Sequence, residues 1–305
     1  MRVCFLGTGA GLPSVGRNVS SVALALDDGQ VWLFDAGEGT QHQLMRTSVR
    51  PGRITKIFIT HTHGDHMFGL PGLLSSRAFH GGPPDVDIYG PAGVRQFVEV
   101  ALGVSATHLP FRVTCHEVCG GELFDADGWR VTAAPLDHVV PAYGFRVQEG
   151  ERAGELRTAA LQALGVEPGP VYGRLKNGEN VRLGDGTVLC GRDFVGPPRR
   201  GRAVAYTGDT RPTPATVALA QGADVLIHES TYAPGNADLA ERYGHSTSAQ
   251  AAEIARDAGV GRLLLTHISA RYSPEDVIAL RDQARAVFPN TDVMADFDEV
   301  EVPLR

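Results

Sequence analysis

Cysteine is scarce in this 305-residue chain. The four that occur, Cys4, Cys115, Cys119 and Cys190, are too few and too scattered for a disulfide framework. Cys115 and Cys119 lack the C-x-x-C spacing of a zinc knuckle or a thioredoxin motif, so reduced, mostly buried thiols are expected. Long apolar runs are missing too: no stretch approaches the ~20 residues that cross a bilayer. The opening residues, Met1 to Gly7, lack the apolar region and cleavage site of a signal peptide, so a cytoplasmic protein with no membrane partner is expected. Positive charge is in deficit. A formal net charge of −7 argues against a surface that binds nucleic acid all over, because neutralising phosphates needs clustered Lys and Arg, and any such binding must be local. Finally, no register of Gly7-Thr8-Gly9-Ala10-Gly11-Leu12-Pro13 gives G-x-G-x-x-G, and Pro13 falls where a helix would gain its first turn. That excludes a dinucleotide fingerprint and leaves a glycine loop that permits close backbone approach, compatible with lining a substrate site.

What the chain does have is a 43% hydrophobic composition, enough for a substantial core, and 37 Gly and 19 Pro spread through apolar segments as turns. It also has one dense stretch, Thr60-His61-Thr62-His63-Gly64-Asp65-His66, entered by Ile57-Phe58-Ile59. Three imidazoles and a carboxylate within six residues would each need a buried partner, and a divalent metal supplies one to all of them. If the apolar run is a strand, His61 and His63 share a side, and a tight turn at Gly64 brings Asp65 and His66 back toward the same point. Nitrogen and carboxylate ligands without thiolates suit Zn²⁺, with Mn²⁺ or Fe²⁺ also open.

Patterning predicts strands at Arg2 to Leu6, a hairpin of Ser21 to Leu26 with Gln30 to Phe34, and a strand from Lys56 to Thr60 feeding the dense loop. Short helices are predicted at Thr40 to Thr47 and Phe68 to Phe79, and another from Pro91 to about Leu102. Phe111 to Val118, Glu122 to Phe124 and Trp129 to Ala134 read as one antiparallel series that delivers His138. From Ala203 onward, strand, polar residue and helix recur: strands at Ala203 to Thr207, Val225 to His228 and Arg262 to Thr266, helices at Pro214 to Gln221, after the Thr247/Gln250 capping box, and at Pro274 to Phe288. Between these halves, residues 150–200 are turn-rich. A helix is predicted over Glu151 to Leu164, and Arg and Lys outnumber Asp and Glu, opposite to the chain as a whole. Such a reversal marks an insertion with its own partner.

Four strand ends thus present ligands: the dense loop, His138, Asp209 and His267, together enough for two metals. The H-x-H-x-D-H pattern after a strand resembles the metallo-β-lactamase superfamily. The longer motifs resemble its tRNase Z family, which trims the 3′ end of precursor tRNA. They are Phe5 to Ser14 with Arg17-Asn18-Val19-Ser20-Ser21, Asp35 to Gln41, Thr60 to Leu74, Tyr206 to Thr210, His228 to Thr231, Gly244 to Thr247 and Thr266 to Tyr272. The match runs through essentially the whole chain. It implies an α/β fold, the four-layer αβ/βα sandwich, as a single domain over residues 1–305, with residues 150–200 as an inserted flexible basic arm that grips tRNA. It implies that His61, His63 and His138 hold one Zn²⁺, that Asp65, His66 and His267 hold a second, and that Asp209 bridges them. The reaction implied is phosphodiester hydrolysis by a water shared between the ions, leaving a tRNA 3′-hydroxyl and a trailer 5′-phosphate. Asp65 can accept the water's proton, and His245, oriented by Glu229, protonates the leaving oxygen. Arg174, Lys176 and Arg182 can meet phosphates of the precursor tRNA, and a homodimer is expected, as in the family. His228 is expected to be structural, and His42, His80, His108 and His116 show no partner pattern. Two other readings compete: a hydrolase of small esters, which has no use for a basic arm, and an RNA-binding scaffold without catalysis, which has no use for a complete ligand set.

Overall fold

The computed structural model describes residues 1–304. Its strands, in chain order, begin with β1 (Arg2–Gly7), β2 (Ser21–Ala25), β3 (Val31–Phe34), β4 (Ile54–Phe58), β5 (Val86–Gly90) and β6 (Val113–Glu117). They continue with β7 (Gly121–Ala126), β8 (Trp129–Leu136), β9 (Ala142–Glu149), β10 (Ala203–Tyr206), β11 (Val225–Glu229), β12 (Arg262–Thr266), β13 (Thr291–Val293) and β14 (Glu299–Glu301). One seven-stranded sheet runs β14-β1-β2-β3-β4-β5-β6 and the other β13-β12-β11-β10-β9-β8-β7. Each is half antiparallel and half parallel. The parallel halves are β3 to β6 and β10 to β13, and their carboxyl ends are where α/β sheets collect ligand-binding groups.

Alternation explains the layers. In β1, Val3 and Phe5 enter the core between the sheets while Cys4 and Leu6 pack outward against helices, and all four are fully buried. Aromatic contacts cross from one sheet to the other, Phe34 to Tyr206 at 5.2 Å, Phe58 to Phe145 at 5.3 Å and Trp32 to Trp129 at 5.5 Å between ring centroids. Each such ring taken from water contributes ~1.5–3 kcal/mol. Helices Thr40–Leu44, Leu70–Arg77 and Val94–Val104 cover the first sheet through Leu44, Leu73 and Val98. Helices Pro214–Ala220, Ser248–Asp257 and Pro274–Val287 cover the second through Ala220, Ala252 and Ala284. The result is the expected αβ/βα sandwich.

Some local expectations change. Residues 113–117 do not join an antiparallel series with β7 and β8; they pair in parallel with β5 in the first sheet. Apolar alternation does not name a strand's partner. The chain crosses to the other sheet at Gly120 and Gly121, whose φ of 99° and 84° side chains rarely adopt. Strand β4 ends at Phe58 rather than running to Thr60, because the Thr60 N–H turns away to Asp35. Gly64 opens a short helix, Gly64–Met67, in place of a tight turn, so His61 and His63 converge through the loop and not by sharing a strand face.

The helix predicted over 151–164 shrinks to Thr158–Ala163. Before it the chain is extended, with bridges of Arg152 to Arg199 and Leu156 to Val195, and Gly154 lies so close to the Gly196 carbonyl that a Cβ would meet it at 2.1 Å. Beyond that base come helix Pro170–Lys176 and a hairpin of Asn180–Arg182 with Val188–Cys190. Leu161, Val166, Leu175, Val181 and Leu189 form a small core of this segment's own.

Candidate functional site

The site grows from Asp35, the residue after β3. It is fully buried and held at a φ of 56°, a left-handed conformation that costs a non-glycine residue about 1–2 kcal/mol. Its Oδ1 accepts the Thr60 N–H at 2.8 Å, and its Oδ2 accepts the Tyr206 hydroxyl at 2.9 Å. His66 Nδ1 lies 2.8 Å from the same Oδ2 and donates to it, which leaves Nε2 with its lone pair pointed away from Asp35. Asp35 and Tyr206 stand outside the ligand set expected from the sequence; the signal available for Asp35 is a carboxylate placed directly after an apolar strand.

Around this anchor the predicted ligands converge. His61, His63, His138 and Asp209 form one group, and Asp65, His66 and His267 another; within each group the donor atoms lie within 4.8 Å of one another. Asp209 joins them, with Oδ2 3.7 Å from His61 Nε2 and 3.4 Å from His66 Nε2, and Oδ1 3.3 Å from His267 Nε2. Ring orientation in the first group comes from outside it. His61 Nδ1 sits 3.0 Å from the Thr60 hydroxyl, and His138 Nδ1 donates to the Gly244 carbonyl at 2.7 Å. A Cβ on Gly244 would come within 2.8 Å of that imidazole nitrogen, so the approach needs glycine.

Glu229, the last residue of β11, is buried and accepts hydrogen bonds from the Thr210 N–H at 3.0 Å and the Thr231 hydroxyl at 2.6 Å. His245 Nδ1 lies 2.9 Å from its Oε1. Burial alone would lower the His245 pKa, but the Glu229 carboxylate outweighs it and lifts the imidazole to about 9. The Glu229 carboxylate thus favours the doubly protonated, charged imidazole. The Thr231 hydroxyl also reaches His267 Nδ1 at 2.8 Å, tying the proton-bearing pair to the ligand cluster. His228 points elsewhere: it is fully buried, its Nδ1 is 2.8 Å from the Glu229 carbonyl, and burial holds its pKa down.

The donor set fits divalent cations. His61 Nε2 and His63 Nδ1 are 3.0 Å apart, and His66 Nε2 and His267 Nε2 are 3.3 Å apart; two lone pairs at such a distance need a shared proton or a cation between them. Asp209 Oδ1 is buried without a hydrogen-bond partner of good geometry. Burial alone would raise the Asp209 carboxyl, yet His267 and His66 hold it well below the usual carboxylate range. Burial alone would lower His66, yet Asp209 and Asp35 hold it well above its usual value. Buried carboxylate charge of this kind, which favours a cation on His66, would equally favour metal charge. The predicted RNA contacts are not part of this centre. Arg174, Lys176 and Arg182 stand exposed on the segment 150–200, with Arg174 paired to Glu179 at 2.9 Å.

A four-layer αβ/βα sandwich with His and Asp clusters at the strand ends defines a metallo-β-lactamase-fold protein. Residues 187–268 match the family model described as beta-lactamase superfamily domain, and residues 1–144 that described as anti-Pycsar protein Apyc1. A metallo-β-lactamase fold protein of Bacillus subtilis superposes with a TM-score of 0.69 at 20% identity, over 98% of this chain and 99% of its own. Within that class the chain belongs to the ribonuclease Z family. It is 54% identical to the ribonuclease Z of Bacillus licheniformis over 99% of both chains. It superposes on human tRNase Z, short form, with a TM-score of 0.74 at 32% identity, covering all of both chains.

Proposed function

We propose that this chain is a zinc-dependent endoribonuclease that cuts the 3′ trailer from precursor tRNA, leaving a 3′-hydroxyl on the tRNA and a 5′-phosphate on the trailer. Processing of the tRNA 3′ end follows from family membership along the full chain. The observation that supports the chemistry is the convergence of Asp209 with two groups of imidazole and carboxylate donors. Two divalent ions bound there would activate a water they share and neutralise charge on the phosphate. His61, His63 and His138 would hold one and Asp65, His66 and His267 the other, with Asp209 placed between the two groups. Asp65 orients the attacking water and takes its proton. His245 gives the leaving oxygen a proton, with Glu229 fixing its ring and keeping it charged until then. Tyr206 and Thr60 keep the Asp35 carboxylate aimed at His66.

The segment 150–200 serves as the arm that holds the folded part of the tRNA, with Arg174, Lys176 and Arg182 meeting phosphates without reading bases. The chain works as a homodimer in the cytoplasm. No helix among the described residues is long and apolar enough to cross a membrane. The direct experiment is to incubate the chain with a 3′-extended tRNA, map the cut, and repeat with Asp65→Ala and His245→Ala. A single cut near the end of the acceptor stem, lost in Asp65→Ala and greatly slowed in His245→Ala, supports the reading. Equal activity of all three proteins, or no cut at all, contradicts it.

A further inference from the structure

The glycine loop after β1 neither supplies a ligand nor moves a proton, yet it touches residues that do. We infer that Asp296, just ahead of β14, is a positioning residue for the ion site of Asp65, His66 and His267, acting through residues 8–11. The inference rests on the reading above that these three side chains hold one ion of the pair.

Four donors converge on the half-buried Asp296 carboxylate. Its Oδ1 accepts the Thr8 N–H at 3.0 Å and the Thr8 hydroxyl at 2.7 Å. Its Oδ2 accepts the Asn18 N–H at 2.7 Å and the Gln43 side-chain amide at 2.8 Å. A carboxylate with this many donors is a rigid clamp, because losing it leaves several polar groups without partners. What it clamps is the start of the loop. Arg17 adds a hydrogen bond to the Thr8 hydroxyl at 2.6 Å, and the Gly9 N–H donates to the Asn18 carbonyl at 2.8 Å.

The far side of the same loop meets two of the three ligands. The Thr8 carbonyl accepts the Ile268 N–H at 2.8 Å, and Gly9–Ala10 pairs in parallel with Ile268–Ser269, so the residue after His267 is stitched to the loop. That stitching bears on His267 itself, which is held at a φ of 58° that its neighbours must enforce. Gly11 then donates its N–H to Asp65 Oδ2 at 2.9 Å. This is the oxygen 3.3 Å from His267 Nε2 and 3.5 Å from His66 Nε2. By contrast, the first ligand group takes its orientation from Thr60 and from Gly244 on the other half of the fold. Loosening Asp296 should therefore weaken one ion and spare the other, which a general loss of stability would not do.

The test is a cobalt(II) titration of the metal-free full-length chain, read by visible absorption and native mass spectrometry, on wild type, Asp296→Asn and Thr8→Val. Asp296→Asn turns a donor toward donors; Thr8→Val removes one hydroxyl and keeps the shape. Wild type should take two ions. In Asp296→Asn the first ion should bind within about twofold of wild type and the second about 10–100-fold more weakly, with Thr8→Val shifted the same way by less. On 3′-extended tRNA at limiting cobalt, kcat should fall while KM stays within about twofold, because the arm is untouched. Equal weakening of both ions together with a lowered melting temperature would overturn the inference, as would an unchanged second ion. A wild-type chain that binds fewer than two cobalt ions would overturn the inference and the ligand reading beneath it; two ions bound with wild-type affinity in all three proteins would overturn the inference alone.

Discussion

Around Asp209 the protein buries polar side chains, whereas in the segment 150–200 the side chains it buries are a few apolar ones. At the centre, Asp35, Glu229 and Asp209 are all buried, and each carboxylate is held by named partners from distant strands. In the segment, Leu161, Val166, Leu175, Val181 and Leu189 make a core that involves no residue of the sandwich, while Arg174, Lys176 and Arg182 face solvent. The first arrangement suits chemistry, where displacement by an ångström is costly. The second suits capture, where charges must find phosphates on a large RNA and need no fixed direction. Chemistry and capture would then be separate tasks of one chain, and changes in one region should not behave like changes in the other.

The largest expected effect is at the centre. Asp65→Ala should lower kcat for both precursor tRNA and a small diester such as bis(p-nitrophenyl) phosphate by about 10³-fold or more, measured at saturating metal. A substitution that spared the small diester would mean that Asp65 serves RNA binding. Next comes His245→Ala, which should cost about 10²–10⁴-fold on tRNA. The loss should be far smaller on bis(p-nitrophenyl) phosphate, whose leaving group needs no proton. Equal losses on the two substrates would show that His245 does something other than donate to the leaving oxygen.

Deleting residues 150–200 should raise KM for precursor tRNA by about 10²-fold while leaving small-diester hydrolysis within about twofold, since the two bridges at the base are the segment's paired backbone links to itself. Below that, Leu175→Ala should destabilise the segment by about 2–5 kcal/mol. Limited proteolysis should then cut within 150–200 first, with the melting of the sandwich unchanged. The smallest effect belongs to Lys176→Ala: a few-fold weaker tRNA binding and a salt dependence shallower by about one unit of slope.

The same contrast explains what could be read without coordinates. His61, His63, Asp65 and His66 crowd one loop, so their chemistry is legible as a motif. His138, Asp209 and His267 are each a lone residue after a strand, and only the convergence of three strand ends gives them meaning. Asp35 stayed hidden because its partners, Thr60, His66 and Tyr206, lie 25, 31 and 171 positions away. Strand pairing followed the same rule. The β2–β3 hairpin was visible from Asp27-Asp28-Gly29, a local turn. The move of residues 113–117 into the first sheet was not, because alternation records a buried face and not the neighbour across it. In 150–200 the helix-favouring residues 151–157 were drawn into extended pairing with 195–199, a tertiary contact overriding propensity.

Catalysis as proposed requires paired cations between Asp209 and the imidazoles around it. Native mass spectrometry of the purified full-length chain, exchanged into zinc-containing and then zinc-free volatile buffer at neutral pH, measures this directly. The expected mass is that of the chain plus two zinc ions, falling to the bare chain with chelator in step with the loss of tRNA cleavage. A chain that cleaves 3′-extended tRNA at full rate with no bound metal, or that retains at most one ion under these conditions, contradicts it.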